Sequence, residues 1–114
     1  MNEFVLFFRM DIVSPEAQPT PEQMEIYMDQ WQKWIDGIAS QNKLAEGGHH
    51  LSAEGRVLRP NQKVANGPYT EKKESVAGYI LILADSLDEA VQIAKACPIL
   101  NGEGTSVEVR EVAG

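Results

Sequence analysis

Residues 75–84 read SVAGYILILA, and this decade decides the fold class. Val76, Tyr79, Ile80, Leu81, Ile82 and Leu83 place apolar groups on both faces of an extended segment, which suits a strand covered on both sides. The segment therefore belongs in the middle of a sheet. Immediately downstream, Ser86 and Glu89 form a capping box, and Leu87, Ala90, Val91, Ala94 and Cys97 recur at helical spacing until Pro98 ends the pattern. Asp88 and Glu89 near its start and Lys95 near its end suit the helix dipole. A turn around residues 101–104 leads to a last strand over 106–112, where Val107 and Val109 alternate with Glu108 and Arg110.

Working towards the N-terminus, residues 66–75 (NGPYTEKKES) form a polar connection into the central strand. Glu54-Gly55 reads as a hairpin turn entering a short strand through Arg56, Val57 and Leu58, with a polar connection after Pro60. Another short strand starts at Leu44 and is interrupted by Gly47 and Gly48, just before His49 and His50. Thr20, Pro21 and Gln23 start a helix running to about Asn42, with Thr20 as cap and Gln23 completing a capping box. Its apolar stripe is Met24, Tyr27, Met28, Trp31, Trp34, Ile35 and Ile38, and the tryptophans read as core at a pocket edge rather than as a ligand platform. Residues 4–9, FVLFFR, make a buried strand, and residues 11–20 form a long aperiodic loop of the kind that borders sites.

The resulting order is βαββαβ with extra hairpin material, which predicts an α+β, ferredoxin-like sandwich occupying residues 1–114 as one domain. Both helices of such a fold cover one face of the sheet. Because residues 4–8 and 79–83 are apolar on both faces, the second face needs a cover, and a homodimer with sheets facing each other is the expected solution. Burial of that face by the long loops of a monomer is the alternative.

A net charge of -7 opposes a nucleic-acid or anionic-membrane surface, since such partners require clustered Lys and Arg. The N-terminal apolar run is shorter than a membrane span or a signal-peptide core, so a cytoplasmic location is expected. Cys97 is the single cysteine, which excludes an internal disulfide and reads as a small buried residue. The chain lacks GxGxxG, GxxxxGK, HExxH, CxxC and a nucleophile elbow, so no cofactor and no metal are expected.

Histidine titrates near neutral pH, so His50 or His49 is the candidate general base or acid, the alternative being two exposed turn residues. Adjacent strand residues point to opposite faces, so at most one of the two serves a given pocket. Arg9 and Asp11, two residues apart, form a candidate rim that holds an anionic group beside a carboxylate. Asn66, Gly67 and Pro68 read as a turn that either aims the next strand or closes over a pocket, with Tyr69 offering a ring and a hydroxyl to a ligand. Glu74 directly precedes the central strand and is expected to be partly buried and paired with Arg9 or Arg110. Lys72 and Lys73 in the neighbouring charged run read as solvated.

The stretch NGPYTEKKESVAGYILILADSLDEAVQIAKACPI, followed by SVEVREV, resembles the YCII-related family, and more specifically its subgroup with a DGPF-type motif. The resemblance implies a ferredoxin-like fold that dimerises as an α/β barrel. It also implies either a small cofactor-free enzyme acting on hydroxylated, chlorinated aromatics through a His and Asp pair, or a companion of alternative sigma factors in bacteria. The motif Asp is Asn66 here and the motif Phe is Tyr69, and asparagine retains the turn but is no carboxylate base. The expected function is binding of a small polar or aromatic compound, with acid-base chemistry of the lyase or isomerase type. The alternative is a non-catalytic regulatory or interaction module in a bacterial signalling operon.

Overall fold

Strand β1 (Asn2–Met10) buries Phe4, Leu6 and Phe8 on one side, while Val5 and Phe7 on the other are only half-buried. The computed structural model describes residues 1–15, 18–68 and 74–114. β1 pairs antiparallel with β5 (Ser75–Ala84), placing Phe4 opposite Ile82 and Leu6 opposite Ile80. These four side chains are almost wholly excluded from water and form the centre of the core. Fully burying each contributes roughly 1.5–3 kcal/mol.

β2 (Leu44–His50) and β6 (Ser106–Glu111) complete a four-stranded sheet in the order β2-β5-β1-β6, with every neighbouring pair antiparallel. The helices α1 (Pro21–Ser40) and α2 (Leu87–Ala94) connect strands that are not neighbours, as the βαββαβ order requires. The result is a mixed domain with antiparallel sheets and two helices, consistent with the α+β, ferredoxin-like expectation.

Both predicted helix starts are present. Thr20 Oγ1 accepts from the Gln23 N–H at 3.2 Å while Gln23 Oε1 accepts from the Thr20 N–H at 2.9 Å, closing the capping box. Ser86 Oγ accepts from the Glu89 N–H at 3.1 Å at the start of α2, but the expected capping box is only half formed there, because the Glu89 carboxylate turns to Lys43 instead of to the Ser86 N–H. The apolar stripe of α1 packs Trp31 edge-on against Phe8, with centroids 4.6 Å apart, and Trp34 edge-on against Trp31 at 5.5 Å. Trp34 Nε1–H donates to the Ile93 carbonyl at 3.2 Å and so ties α1 to α2. Lys43, just before β2, meets Glu89 of α2 at 2.6 Å. The tryptophans are thus part of the core, as their spacing predicts.

The extra hairpin exists, but its turn is elsewhere than expected. β3 (Gly55–Arg59) and β4 (Lys63–Gly67) form a separate two-stranded sheet. The chain reverses at Asn61 and Gln62, which have φ of 67° and 61°, so Pro60-Asn61-Gln62 is the turn and Glu54-Gly55 merely enters the strand. Asparagine tolerates this left-handed conformation better than most residues, which makes the site a feasible reversal without a glycine. The pattern predicted around Pro98 also needs extension, because a short 3-10 helix, Pro98–Asn101, follows α2 directly.

Val5, Phe7, Tyr79, Leu81 and Leu83 lie together on the sheet face opposite the core and remain half-buried. Among the described residues no helix is long and apolar enough to cross a membrane.

Candidate functional site

Two irregularities in the sheet shape a cavity on its helix-covered side. The β1–β5 register slips between Phe8 and Arg9, where Phe8 faces Gly78 but Arg9 faces Val76, so Ala77 is the extra residue of a bulge. On the other side of β5, two residues of β2, Gly47 and Gly48, span the single position of Ile80. Gly48 has φ of +64° and lies against the Tyr79 backbone, where any Cβ would collide with the carbonyl. Gly78 returns the approach, since a Cβ there would sit 2.8 Å from the His49 carbonyl oxygen. Small residues at 77 and 78 leave space that larger ones would fill.

The space is a cavity of about 550 Å³ between the first half of α1, the sheet and the 98–105 segment. This volume falls in the range of small-molecule sites. Phe8, Tyr27, Trp31 and Ile80 supply apolar and aromatic wall, and Asp11, His49, His50 and Glu103 bring ionisable groups to its border. Asp11 holds the rim together: its Oδ1 accepts from the backbone N–H groups of Val13 and Ser14, each at 3.0 Å, and Gln18 donates to its carbonyl at 2.9 Å. Thr105 fixes the opposite rim by donating to the Ile99 carbonyl at 2.6 Å.

The two histidines divide as strand alternation demands. His50 is registered with Gly78, which shares the core side with Phe8, whereas His49 is registered with Tyr79, which shares the opposite side with Phe7. The rings of His49 and Tyr79 stand 6.1 Å apart at 64°. Although both border the cavity, His50 is on the side of the sheet that faces it.

Other candidates are not brought together. Arg9 belongs with Val5 and Phe7 on the open side of the sheet; its Nη2 and Nε donate to Glu108 at 2.8 and 3.2 Å, and its Nη1 donates to the Glu74 carbonyl at 3.0 Å. The expected Arg9–Asp11 rim does not form, because β1 ends at Met10 and the chain turns before the alternation can return Asp11 to the side of Arg9. Glu74 is exposed rather than partly buried, and its carboxylate accepts from Ser106 Oγ at 3.3 Å instead of pairing with Arg9 or Arg110. Asn66 is a strand residue of β4, exposed and opposite Arg56, not a turn residue. Tyr69, Lys72 and Lys73 lie outside the described residues.

Glu103 and Thr105 escaped sequence reasoning. Their only local signal is the Gly102 and Gly104 pair that turns the chain around them. Cys97 is buried beside this segment, and burial pushes its thiol up to about 12, so it is no nucleophile here.

The family model for the YCII-related domain matches residues 14–113. No curated protein matches the chain.

Proposed function

The chain belongs to the YCII-related domain family, and from that premise and the cavity we propose that it binds a small polar or aromatic molecule and acts on it without a cofactor. The observation that carries this reading is one cavity that combines aromatic wall from Phe8, Tyr27 and Trp31 with an imidazole and a carboxylate at its border. In an elimination, the His50 imidazole takes a proton from carbon, the freed electron pair forms the double bond, and the leaving group departs with its own pair. An isomerisation would return the same proton to a neighbouring atom. Asp11, on the rim with its Oδ1 held by the Val13 and Ser14 N–H groups, is the carboxylate assigned to orient a polar group of the ligand. Arg9 has no part in this version, since Glu108 and the Glu74 carbonyl occupy it.

The DGPF-type subgroup is the finer proposal, supported by Asn66-Gly67-Pro68-Tyr69, Glu74 and the Glu108-Val109-Arg110 ending. With it goes the dimeric barrel, in which Val5, Phe7, Leu81 and Leu83 of two copies cover one another as a homodimer. A non-catalytic regulatory module is the second reading, favoured by Asn66 standing where the motif has a carboxylate.

Titration of the intrinsic tryptophan fluorescence in a Trp34→Phe background, where Trp31 is the single indole, with hydroxylated and halogenated aromatic acids tests the first reading, because a ligand in the cavity lies beside Trp31. A saturable change that weakens in His50→Ala supports it. Turnover left unaltered by replacing both His49 and His50 with Ala would remove the acid-base mechanism, and saturable binding without turnover would favour the regulatory one.

A further inference from the structure

The cavity has a sign of charge as well as a shape. Among the described residues that line it, Asp11 and Glu103 are carboxylates, and there is no Lys or Arg. Arg9, close by in β1, is turned to the open side of the sheet and paired with Glu108 at 2.8 Å. β1 and β6 are paired as far as Arg9 and Ser106, so Asp11 and Glu103 both leave the sheet at that end, two and three residues beyond the last pair. The chain as a whole sums to -7 and adds a field of the same sign.

Glu103 is presented by a braced turn. The Gly102 N–H donates to the Ile99 carbonyl at 3.1 Å, and the Thr105 hydroxyl is shared between the Ile99 and Gly102 carbonyls at 2.6 and 3.1 Å, so the residue is fixed from both sides. The Glu103 side chain is exposed and makes no hydrogen bond or ion pair with another described residue. Asp11 is already engaged by the Val13 and Ser14 N–H groups, which leaves Glu103 as the carboxylate on which the charge of a ligand acts first.

We infer that, within the small-molecule reading proposed above and resting on it, the ligand of this cavity is an organic ammonium: an amine on an aromatic body, its nitrogen at Glu103 and its body against Phe8, Tyr27 and Trp31. Such a group matches both parts of the wall, since an ammonium is attracted to a carboxylate and to the face of an aromatic ring. A carboxylate ligand of the same shape meets like charge in an apolar-walled space, where repulsion is stronger than in water. A metal ion does not fit as the occupant. Among the described residues no three His, Cys, Asp or Glu side chains come together to hold one, and aromatic wall offers a hydrated ion little.

Isothermal titration calorimetry of the full chain at about pH 8 and low salt tests the assignment with phenethylamine, phenethyl alcohol and phenylpropionate, three probes of similar ring and chain that differ in charge. At that pH an ordinary imidazole is uncharged, so carboxylates set the difference. The amine is expected to bind tighter than the acid by about tenfold or more, with the alcohol between them. Glu103→Gln is expected to narrow the amine-to-acid ratio by about threefold or more and to leave the alcohol unchanged, and Glu103→Lys to narrow the ratio further. Position 103 is exposed, and far-UV circular dichroism checks that both variants fold. An acid or alcohol that binds as tightly as the amine, or a ratio indifferent to residue 103, overturns the ammonium assignment while leaving the cavity a small-molecule site. Binding of none of the three, together with no fluorescence response to the aromatic acids, removes the small-molecule reading and the assignment with it. On this assignment those acids are the weaker class of ligand.

Discussion

Gly48 and the carbonyl of Tyr79 are in such close approach that the two strands could not meet if residue 48 carried a side chain. The same glycine has φ of +64°, a conformation that costs other residues about 1–2 kcal/mol. Strand β2 therefore reaches His49 and His50 in their observed register only through this glycine.

Gly48→Ala is accordingly expected to destabilise the fold by about 3 kcal/mol, combining the backbone conformation with overpacking against β5. Urea unfolding followed by circular dichroism measures it. A change below about 0.5 kcal/mol would show that β2 can shift without cost. Because the strain falls next to the histidines, the imidazole resonances should move more in this variant than those of the α2 region.

The Trp34 indole N–H has one identified acceptor, the Ile93 carbonyl. Trp34→Phe keeps much of the aromatic packing but removes this tie between α1 and α2, while the Ile93 carbonyl keeps the Ala96 N–H at 3.4 Å, so the expected cost is that of one ordinary hydrogen bond, about 0.5–1.5 kcal/mol. A midpoint unchanged from wild type would show that solvent replaces the indole.

Glu89 is held below the ordinary glutamate range chiefly by its hydrogen bond from Lys43, with the lysine charge adding to the effect against some desolvation. A depressed folded value means that this contribution is complete above the unfolded pKa, about 4.3, and is lost as pH falls through the lower folded value. Glu89→Gln should therefore flatten the acid limb of the stability curve and leave its slope near neutrality unchanged. Urea midpoints between about pH 2 and 7 provide the comparison, and parallel acid limbs would sink the assignment.

Cys97 is 2% exposed with its thiol raised to about 12. Native protein at about pH 8 is expected to resist an aromatic disulfide reagent, with labelling limited by opening of the structure and immediate in denaturant. Rapid stoichiometric labelling of the folded chain would contradict the buried placement.

Much of this was legible in the residues because it depends on local rules. Thr20 with Gln23 and Ser86 with Glu89 satisfy orphan helix N–H groups within one turn, so their caps need no tertiary information. The two-faced apolar run of β5 likewise placed it centrally, and strand alternation alone separated His49 from His50. The reversal at Asn61 and Gln62 was harder to read, since neither residue is a glycine and the Gly55 signal nearby was stronger.

By itself, then, the chain determined its element order, its helix starts and the class of its sheet, all consequences of periodicity and of hydrogen bonding over three or four residues. Tertiary structure alone decided the site. The bulge at Ala77 in β5 shaped the cavity floor, the β1–β6 register set Glu108 beside Arg9 on the open face, and the end of β1 at Met10 left Asp11 on the cavity rim. A one-residue slip exchanges the faces of a strand, and such slips are set by the partner strand rather than by the residues that slip. The pairing of Arg9, and with it the charge lining the cavity, could therefore be settled only once β1, β5 and β6 were in register.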